Sequence, residues 1–186
     1  MAVTEGKNQV KPIDINIREI IETITIEGVM SLSFSSDGDY LAMSKNRDEE
    51  VYIWDQRTTS LNHYWPSKSL ADISSIAWVD GKHILCVGLD DGNVFLWDMV
   101  SRRVVTGPLY HPGGPCLVSV FSDGKTLVAG TGEGCLKVWG IDELLSSTGS
   151  QTVSRLGLQS DVMWSPFREG WLVGPNSEWL VWVPEE

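Results

Sequence analysis

The stretch DDGNVFLWDMVSRRVV, residues 90–105, carries an apolar run that ends in Trp97 followed by an aspartate. Trp54 lies 43 residues before Trp97 and is also followed by an aspartate. Trp139 lies 42 residues after Trp97, and Trp182 lies another 43 residues beyond. Internal similarity at a period of about 40–45 residues is typical of chains that repeat one small unit of β-structure. The spacing of these tryptophans therefore predicts a repeat protein.

Two further marks recur in step with the tryptophans. A short apolar strand runs into a turn of an acidic residue and glycine at 32–38, 76–81, 120–124 and 162–170. Another short strand follows each turn, with the sequences DYLAMS, HILCVG, TLVAG and GWLVG. Asp-Gly accommodates the positive φ angles of a tight hairpin turn. Each repeat is therefore predicted to begin with a β-hairpin.

The strands that end in tryptophan are apolar at nearly every residue: VYIW at 51–54, VFLW at 94–97, LKVW at 136–139 and WLVW at 179–182. A strand with one solvated face alternates apolar and polar residues, so these third strands must be covered on both faces. A radial stack of sheets, each packed between two neighbours, meets this requirement. A more polar fourth strand is expected at 62–65, 103–107 and 151–156, and a short helical turn at 141–147.

The predicted fold class is therefore all-β, a single propeller region over 1–186 with about four four-stranded blades. The blades are placed at about 28–65, 73–107, 115–156 and 160–184. Residues 10–27 form a degenerate third and fourth strand, in which Ile13-Asp14 replaces Trp-Asp and Glu19–Ile26 is the fourth strand.

Asp-Gly followed by Trp-Asp at this period resembles the WD-repeat family of β-propellers, over about residues 10–184. The resemblance implies a buried, hydrogen-bonded tetrad in each blade, made of a histidine, a serine or threonine, an aspartate and the tryptophan. In the third full repeat the matching places hold His111, Thr131, Glu133 and Trp139.

The first two repeats match the tetrad less completely. The turn aspartates are Asp48, which precedes Trp54, and Asp91, which precedes Trp97. The position of the hydroxyl residue in the first repeat holds Asn46. This departure affects the regularity of the blades rather than the fold, because the apolar strands build the core.

The last repeat, WSPFREGWLVGPNSEWLVWVPEE at 164–186, also resembles the terminal WD repeat of fungal NACHT-type innate-immunity proteins. This second resemblance implies that the propeller is the ligand-sensing end of a larger signalling protein.

Composition limits the classes of partner and the compartment. The chain has 14 Lys and Arg against 25 Asp and Glu, a net charge of −11, which repels phosphate backbones and anionic lipids. We therefore expect neither a nucleic-acid partner nor a membrane. There is no signal-peptide pattern, no long apolar run and no C-x-x-C pair among the three cysteines, which predicts an intracellular protein, cytoplasmic or nuclear.

The sequence offers no recognisable catalytic constellation. The histidines, His63, His83 and His111, are scattered and have no metal-ligand neighbour at a known spacing. The segment GTGEG at 130–134 precedes a strand, whereas a phosphate-binding loop precedes a helix. The prediction is a protein that is not an enzyme and has no cofactor and no metal site.

Two segments are candidate partner surfaces. Tyr64 and Trp65 lead toward a loop between blades, where an aromatic anchor can meet a partner; alternatively Trp65 only covers the blade edge. Arg47, Glu49 and Glu50 lie in an acidic turn that can meet a basic peptide; alternatively the turn is simply solvated.

The leading functional hypothesis is a protein-interaction scaffold for a protein or peptide partner. The rival is a carbohydrate-binding propeller or a propeller hydrolase that uses Trp65 and Trp171 as stacking platforms. The length of 186 residues is too short for a seven-bladed ring, which leaves three alternatives. The chain is part of a longer propeller, it closes alone with four blades, or it forms a homodimer in which two halves make an eight-bladed ring. The strand at 19–26 could complete the last blade, either within the chain or across such a dimer.

Overall fold

The computed structural model describes residues 1–5, 8–64, 71–79, 81–111, 114, 116–121, 123–131, 135–146, 162–163, 171–173 and 179–182. These residues form antiparallel sheets joined by short turns, with one short helix. The prediction of an all-β chain built from four-stranded sheets is confirmed.

The N-terminal sheet is formed by β1 (Ala2–Glu5), β2 (Gln9–Asp14), β3 (Glu19–Ile20) and β4 (Ile24–Thr25). One edge of β2 pairs with β1, and its other edge pairs with β3 and β4. The strand expected at 19–26 pairs with β2 of its own sheet through Glu19–Ile20 and Ile24–Thr25. A turn of only four residues separates β2 from β3, so this pairing closes a short loop at low entropic cost.

Two complete sheets follow, each with its strands side by side in chain order. The first full sheet contains β5 (Val29–Phe34), β6 (Tyr40–Lys45), β7 (Val51–Asp55) and β8 (Ser60–Tyr64). The second full sheet contains β9 (Ile73–Val79), β10 (Ile84–Leu89), β11 (Asn93–Asp98) and β12 (Arg103–Tyr110). The glycines of the first hairpin turns, Gly38 and Gly81, have φ of 78° and 68°, as the Asp-Gly turns require.

The third full sheet contains β13 (Leu117–Val120), β14 (Thr126–Gly130), β15 (Cys135–Gly140) and β16 (Val162–Met163). The helix α1 (Ile141–Ser146) follows β15, where a helical turn was expected. The fourth strand expected at 151–156 lies outside the described residues, and β16, expected in the next repeat, pairs with β15 instead. The segment at 151–156 and β16 are both short and lack Asp-Gly, so the period of the repeat does not show which of them pairs with β15. A last pair is formed by β17 (Trp171–Val173) and β18 (Trp179–Trp182).

Among the described residues the core forms three clusters, one between each pair of consecutive sheets from the N-terminal sheet to the third full sheet. Successive residues of one strand enter opposite clusters. Leu41 and Met43 face the N-terminal sheet, whereas Ala42, between them, faces the second full sheet. Side chains alternate across a strand, so a strand packed on both faces must be apolar throughout. This explains the continuous apolar runs in the sequence.

The tryptophans of the three full sheets face the preceding sheet. Trp54 is 1% exposed and packs in the cluster next to the N-terminal sheet, and Trp97 is 2% exposed and packs next to the first full sheet. Trp139 is half-buried against the cluster between the second and third full sheets.

The inner strand β9 packs between β5 and β13, which places the first strands of consecutive sheets side by side. Serines link β5 to β9 across this contact. The hydroxyls of Ser31 and Ser33 accept from the backbone N–H groups of Ile76 and Trp78 at 3.2 and 3.1 Å. The indole Nε1 of Trp78 also donates to the carbonyl of Ser33 at 2.9 Å. We call this set of contacts the serine seam.

Candidate functional site

The turn between β6 and β7 lies on the same face as the loops that connect the sheets. The N–H of Asn46 donates to the carbonyl of Gly28, which precedes β5, at 2.8 Å. The N–H of Ile73, which begins β9, donates to the carbonyl of Asp48 at 3.1 Å. The backbone of the acidic turn is therefore held from both sides by inter-sheet loops.

An ion pair is built into this turn. The Nζ of Lys45 lies 2.8 Å from the Oδ2 of Asp48 and 4.3 Å from the centroid of the Tyr52 ring. The Tyr52 hydroxyl donates to the same Asp48 oxygen at 3.1 Å. Burial raises the pKa of Asp48, but hydrogen bonds from Lys45 and from a backbone N–H outweigh it, so the pKa lies below its ordinary value. The hydrogen bond to Asp48 raises the pKa of Lys45.

A second pair extends the site along the outer strand. His63 lies opposite Tyr52 in the β7–β8 ladder, and the two rings stack with centroids 5.9 Å apart. The Nδ1 of His63 lies 2.8 Å from the Oε2 of Glu50, and the Tyr52 hydroxyl lies 3.4 Å from the same oxygen. Lys45, Asp48, Glu50, Tyr52 and His63 together form what we call the turn cluster.

The turn cluster changes the expected acidic surface. Glu50 already contacts Tyr52 and His63, so its charge is shared with groups of this chain rather than presented alone to solvent. Glu49 is half-buried, and Arg47 is exposed with a φ of 56°. The turn therefore presents charges of both signs. Sequence reasoning did not find Lys45, Tyr52 and His63 as members because they lie on three different strands.

Tyr64 packs partly against the second full sheet. Its ring is half-buried and lies 5.3 Å from the ring of Trp97, in the cluster between the first and second full sheets. The guanidinium of Arg102 lies 5.2 Å from the centroid of the Tyr64 ring on its outer side. The sequence could not show this orientation because Trp97 comes from the next repeat. Trp65 lies outside the described residues.

A cavity of about 700 Å³ opens beside the turn cluster, between the N-terminal sheet and the first full sheet. Its walls are Thr4, Asn8, Gln9, Val10, Ile26, Glu27, Gly28, Val29, Met30, Lys45, Asn46, Arg47 and Asp48. Two acidic and two basic side chains line it, so the cavity favours neither sign of charge. The sequence did not predict this cavity, because its walls come from three segments that lie about 20 residues apart along the chain.

The structure describes three of the four tetrad residues of the third repeat. His111 is fully buried, and its N–H donates to the carbonyl of Gly92 at 2.8 Å. Thr131 is buried, Trp139 is half-buried, and Glu133 lies outside the described residues. The buried Thr131 hydroxyl has no hydrogen-bond partner among the described residues.

In the first two repeats the turn aspartates contact residues that lie close to them in the sequence. Asp91 accepts from the backbone N–H and the side-chain amide of Asn93 at 3.0 and 2.8 Å. Asp48 belongs to the turn cluster, and the buried indole Nε1 of Trp54 has no hydrogen-bond partner within the described ranges. In the first repeat Asp48 thus contacts a lysine and a tyrosine of the neighbouring strands.

Within the residues that the structure describes, no three His, Cys, Asp or Glu side chains lie together so as to hold a metal ion. Burial raises the pKa of the Cys86 thiol, which shares a core cluster with Cys116. No helix in the described part of the chain is long and apolar enough to cross a membrane.

Residues 20–55 and 59–98 match the family model of the WD domain, G-beta repeat. Each match begins in or just before the outer strand of one sheet and ends at the third strand of the next, so the repeat unit bridges two sheets. Residues 20–98 therefore contain WD40 repeats, and the antiparallel four-stranded sheets are consistent with a WD40 β-propeller.

Three relatives illustrate the similarity. The chain is 30% identical over 139 residues to the Target of rapamycin complex subunit wat1 of Schizosaccharomyces pombe, covering 72% of this chain and 43% of that protein. It is 27% identical over 127 residues to the APC/C activator protein CDC20 of Saccharomyces cerevisiae, covering 68% and 20%. It is 25% identical over 137 residues to WD repeat-containing protein 55 of Homo sapiens, covering 72% and 35%. The chain thus spans less than half the length of each relative.

Proposed function

We propose that this chain is a non-catalytic, intracellular platform that binds a protein or peptide partner. Its WD40 repeats support the proposal, as do relatives whose names describe a complex subunit and an activator of a complex. The observation that carries the proposal is the turn cluster beside the 700 Å³ cavity. There, mutual contacts already hold polar and aromatic side chains in place on a face made of inter-sheet loops. These side chains therefore lose little conformational entropy when a partner binds to them.

The partner proposed for the turn is a segment with a basic residue that approaches Glu49 and Glu50. The net charge of −11 favours encounter with a basic segment, and Glu50 lies at the exposed edge of the turn cluster. The C-terminal repeat at 160–184 lies mostly outside the described residues. Its likeness to fungal NACHT-type proteins extends the proposal to a sensing platform in a larger signalling protein.

Binding of a lysine- and arginine-rich peptide library to the full chain, measured by fluorescence polarisation, tests this proposal. We expect the double change Glu49→Gln and Glu50→Gln to weaken the binding of the selected peptides by about tenfold, equivalent to about 1.4 kcal/mol. Glu19→Gln with Glu22→Gln is the matched control, because it removes the same charge from exposed residues of the N-terminal sheet. Equal weakening by both pairs would show that net charge, and not the turn, governs binding.

A further inference from the structure

The hairpin tip between β11 and β12, residues 99–102, is built like the tip between β7 and β8 but carries different side chains. Asp98 accepts from the backbone N–H two residues further on at 2.8 Å, as Asp55 does in the first full sheet. Arg102 and Thr59 take the same left-handed conformation, with φ of 56° and 50°. The geometry of the turn therefore does not require an arginine at 102, and its side chain is available for another purpose.

Two neighbouring arginines at this tip keep their charges exposed. Neither Arg102 nor Arg103 forms an ion pair with a carboxylate among the residues that the structure describes. Arg103 lies opposite Asp98 in the ladder, but both carboxylate oxygens of Asp98 accept from groups of the turn itself. Arg57, at the tip of the first full sheet, instead lies 3.5 Å from a carboxylate oxygen of Asp39. The second tip thus presents local positive charge in a chain whose net charge is −11.

The guanidinium of Arg102 is held in place by an aromatic ring. Its central carbon lies 5.2 Å from the centroid of the Tyr64 ring, which itself packs 5.3 Å from the ring of Trp97. An arginine stacked on a ring keeps its N–H donors directed outward, and its planar fork matches a carboxylate with two parallel hydrogen bonds. Because Arg102 is already ordered, it loses little conformational entropy when it binds such a group.

Apolar surface lies beside these arginines. Val104 pairs with Trp97 in the ladder, so its side chain lies on the face that points toward the first full sheet. Val104 is 39% exposed, and Val100 in the tip is 71% exposed. We call Tyr64, Val100, Arg102, Arg103 and Val104 the arginine edge.

The exposure of the arginine edge does not result from a missing neighbour. The edge lies between the first and second full sheets. On their other faces, the first packs against the N-terminal sheet and the second against the third full sheet. Each of the two sheets is thus covered on both sides by described sheets, and the edge still reaches solvent.

We propose that the arginine edge binds a segment of a partner protein in which an acidic residue stands next to an apolar residue. The carboxylate of the segment pairs with the guanidinium of Arg102, and Arg103 adds a second positive charge. The apolar side chain covers Val100 and Val104 and removes their surface from water.

The charge of the whole chain favours a short segment over a lipid surface. An anionic bilayer meets the field of the entire chain, whose net charge of −11 repels it. A short acidic segment meets mainly the two arginines, because salt screens charges beyond about 10 Å. The arginine edge uses different residues from Glu49 and Glu50 and prefers the opposite charge, so it does not depend on the basic-peptide proposal.

A library of peptides that carry glutamate or aspartate beside leucine or valine is the probe, and fluorescence polarisation with the full chain measures binding. We expect Arg102→Gln to weaken the binding of the selected peptides by about tenfold. Arg102→Lys keeps the charge but not the planar fork, so it should still weaken binding by about threefold.

Arg18→Gln is the matched control for these variants. Arg18 is exposed, has a φ of 58° and takes the corresponding place in the hairpin between β2 and β3. We expect this change to leave binding of the acidic peptides unchanged. Equal weakening by Arg18→Gln and Arg102→Gln would show that net charge governs binding and would overturn the proposal.

Val104→Ser tests the apolar part of the edge. We expect it to weaken the peptides by about threefold. Leu61→Ser is its control, because Leu61 lies opposite Trp54 as Val104 lies opposite Trp97, and the two are 40% and 39% exposed. If both serine variants lost the same affinity, the peptide would not lie over Val104.

Three further measurements distinguish the occupants. Binding to vesicles of phosphatidylserine and phosphatidylcholine that Arg102→Gln abolishes would assign the edge to a membrane and overturn the partner segment. Light scattering that gives twice 20.6 kDa, falling to 20.6 kDa in Arg102→Gln, would assign it to a second copy of the chain and overturn it as well. The double change Glu49→Gln and Glu50→Gln should leave the acidic peptides bound, which separates failure of this proposal from failure of the proposed function.

Discussion

The second full sheet meets its two neighbours in different ways, although the same repeat builds both contacts. Toward the first full sheet, Ser33 accepts from the N–H of Trp78, whose indole donates back to the carbonyl of Ser33. Toward the third full sheet, the residue at the place of Ser33 is Ala77, and the residue at the place of Trp78 is Val120. The first contact is a seam of three hydrogen bonds that involve Ser31, Ser33 and Trp78. The second contact has the hydrogen bond from the Ser75 hydroxyl to the carbonyl of Val118 at 3.4 Å and is otherwise closely packed by apolar side chains.

Gly88 makes the second contact close. A Cβ at this position would lie 2.5 Å from the carbonyl oxygen of Cys116 and 2.9 Å from a methyl group of Val118. The first full sheet has Ser44 at the same place, with its side chain buried. One interface therefore accommodates a side chain where the other does not. The repeat period therefore determines which strands of consecutive sheets meet, but it does not determine how closely they pack or which hydrogen bonds join them.

Trp78→Val tests the seam most severely, because valine is the residue that the third full sheet has at this place. The change removes a buried indole and its hydrogen bond, and we expect a loss of about 3–4 kcal/mol in the free energy of unfolding. Urea denaturation followed by circular dichroism measures it. A loss below about 1 kcal/mol would show that the seam is replaceable by apolar packing.

Gly88→Ala should cost about 2–3 kcal/mol, since the added methyl meets a backbone carbonyl that cannot move alone. Gly81→Ala is the control, because its Cβ meets nothing within 4 Å although its φ is 68°. We expect the control to lose about 1 kcal/mol from backbone strain alone. If both variants lost the same amount in urea denaturation, close packing at Gly88 would not matter.

Ser33→Ala and Ala77→Ser exchange the chemistry of the two interfaces. The first change removes the acceptor of the Trp78 N–H, and we expect a loss of about 1–2 kcal/mol. The second adds a hydroxyl to the interface that has none at this place, and we expect a change within about 1 kcal/mol. Thermal unfolding of both variants makes the comparison, and equal losses would contradict the difference between the interfaces.

The smallest expected effect lies outside both interfaces, in the Lys45–Asp48 pair. The folded pKa of Asp48 is lowered, so its contribution is present above the ordinary value of 3.8 and is lost as pH falls through the folded pKa. The folded pKa of Lys45 is raised, so its contribution is lost only as strongly alkaline pH passes that pKa. The pair is partly exposed and should contribute about 0.5 kcal/mol. Asp48→Asn should reduce the acid dependence of urea denaturation below pH 4, whereas the Ser33 and Ala77 variants should not.

Much of this architecture was predictable because it is local. The Asp-Gly turns, the apolar third strands and the period that places Trp54 and Trp97 all lie within short segments, so the strands and their order could be inferred. The contact of Tyr64 with Trp97 was not predicted, because an outer strand gives no periodic sign of which neighbouring sheet covers it. The strand β1 was not predicted, since AVTE has no apolar alternation.

The sequence by itself determined that this chain folds as repeated antiparallel sheets with tryptophan in their third strands, because hairpins and two-sided burial leave local patterns. Only the tertiary structure decided that Ser33 meets Trp78 and that His63 and Lys45 join the acidic turn. The partners in the seam are 45 residues apart. Such contacts depend on how neighbouring sheets dock, and no pattern within one repeat records that.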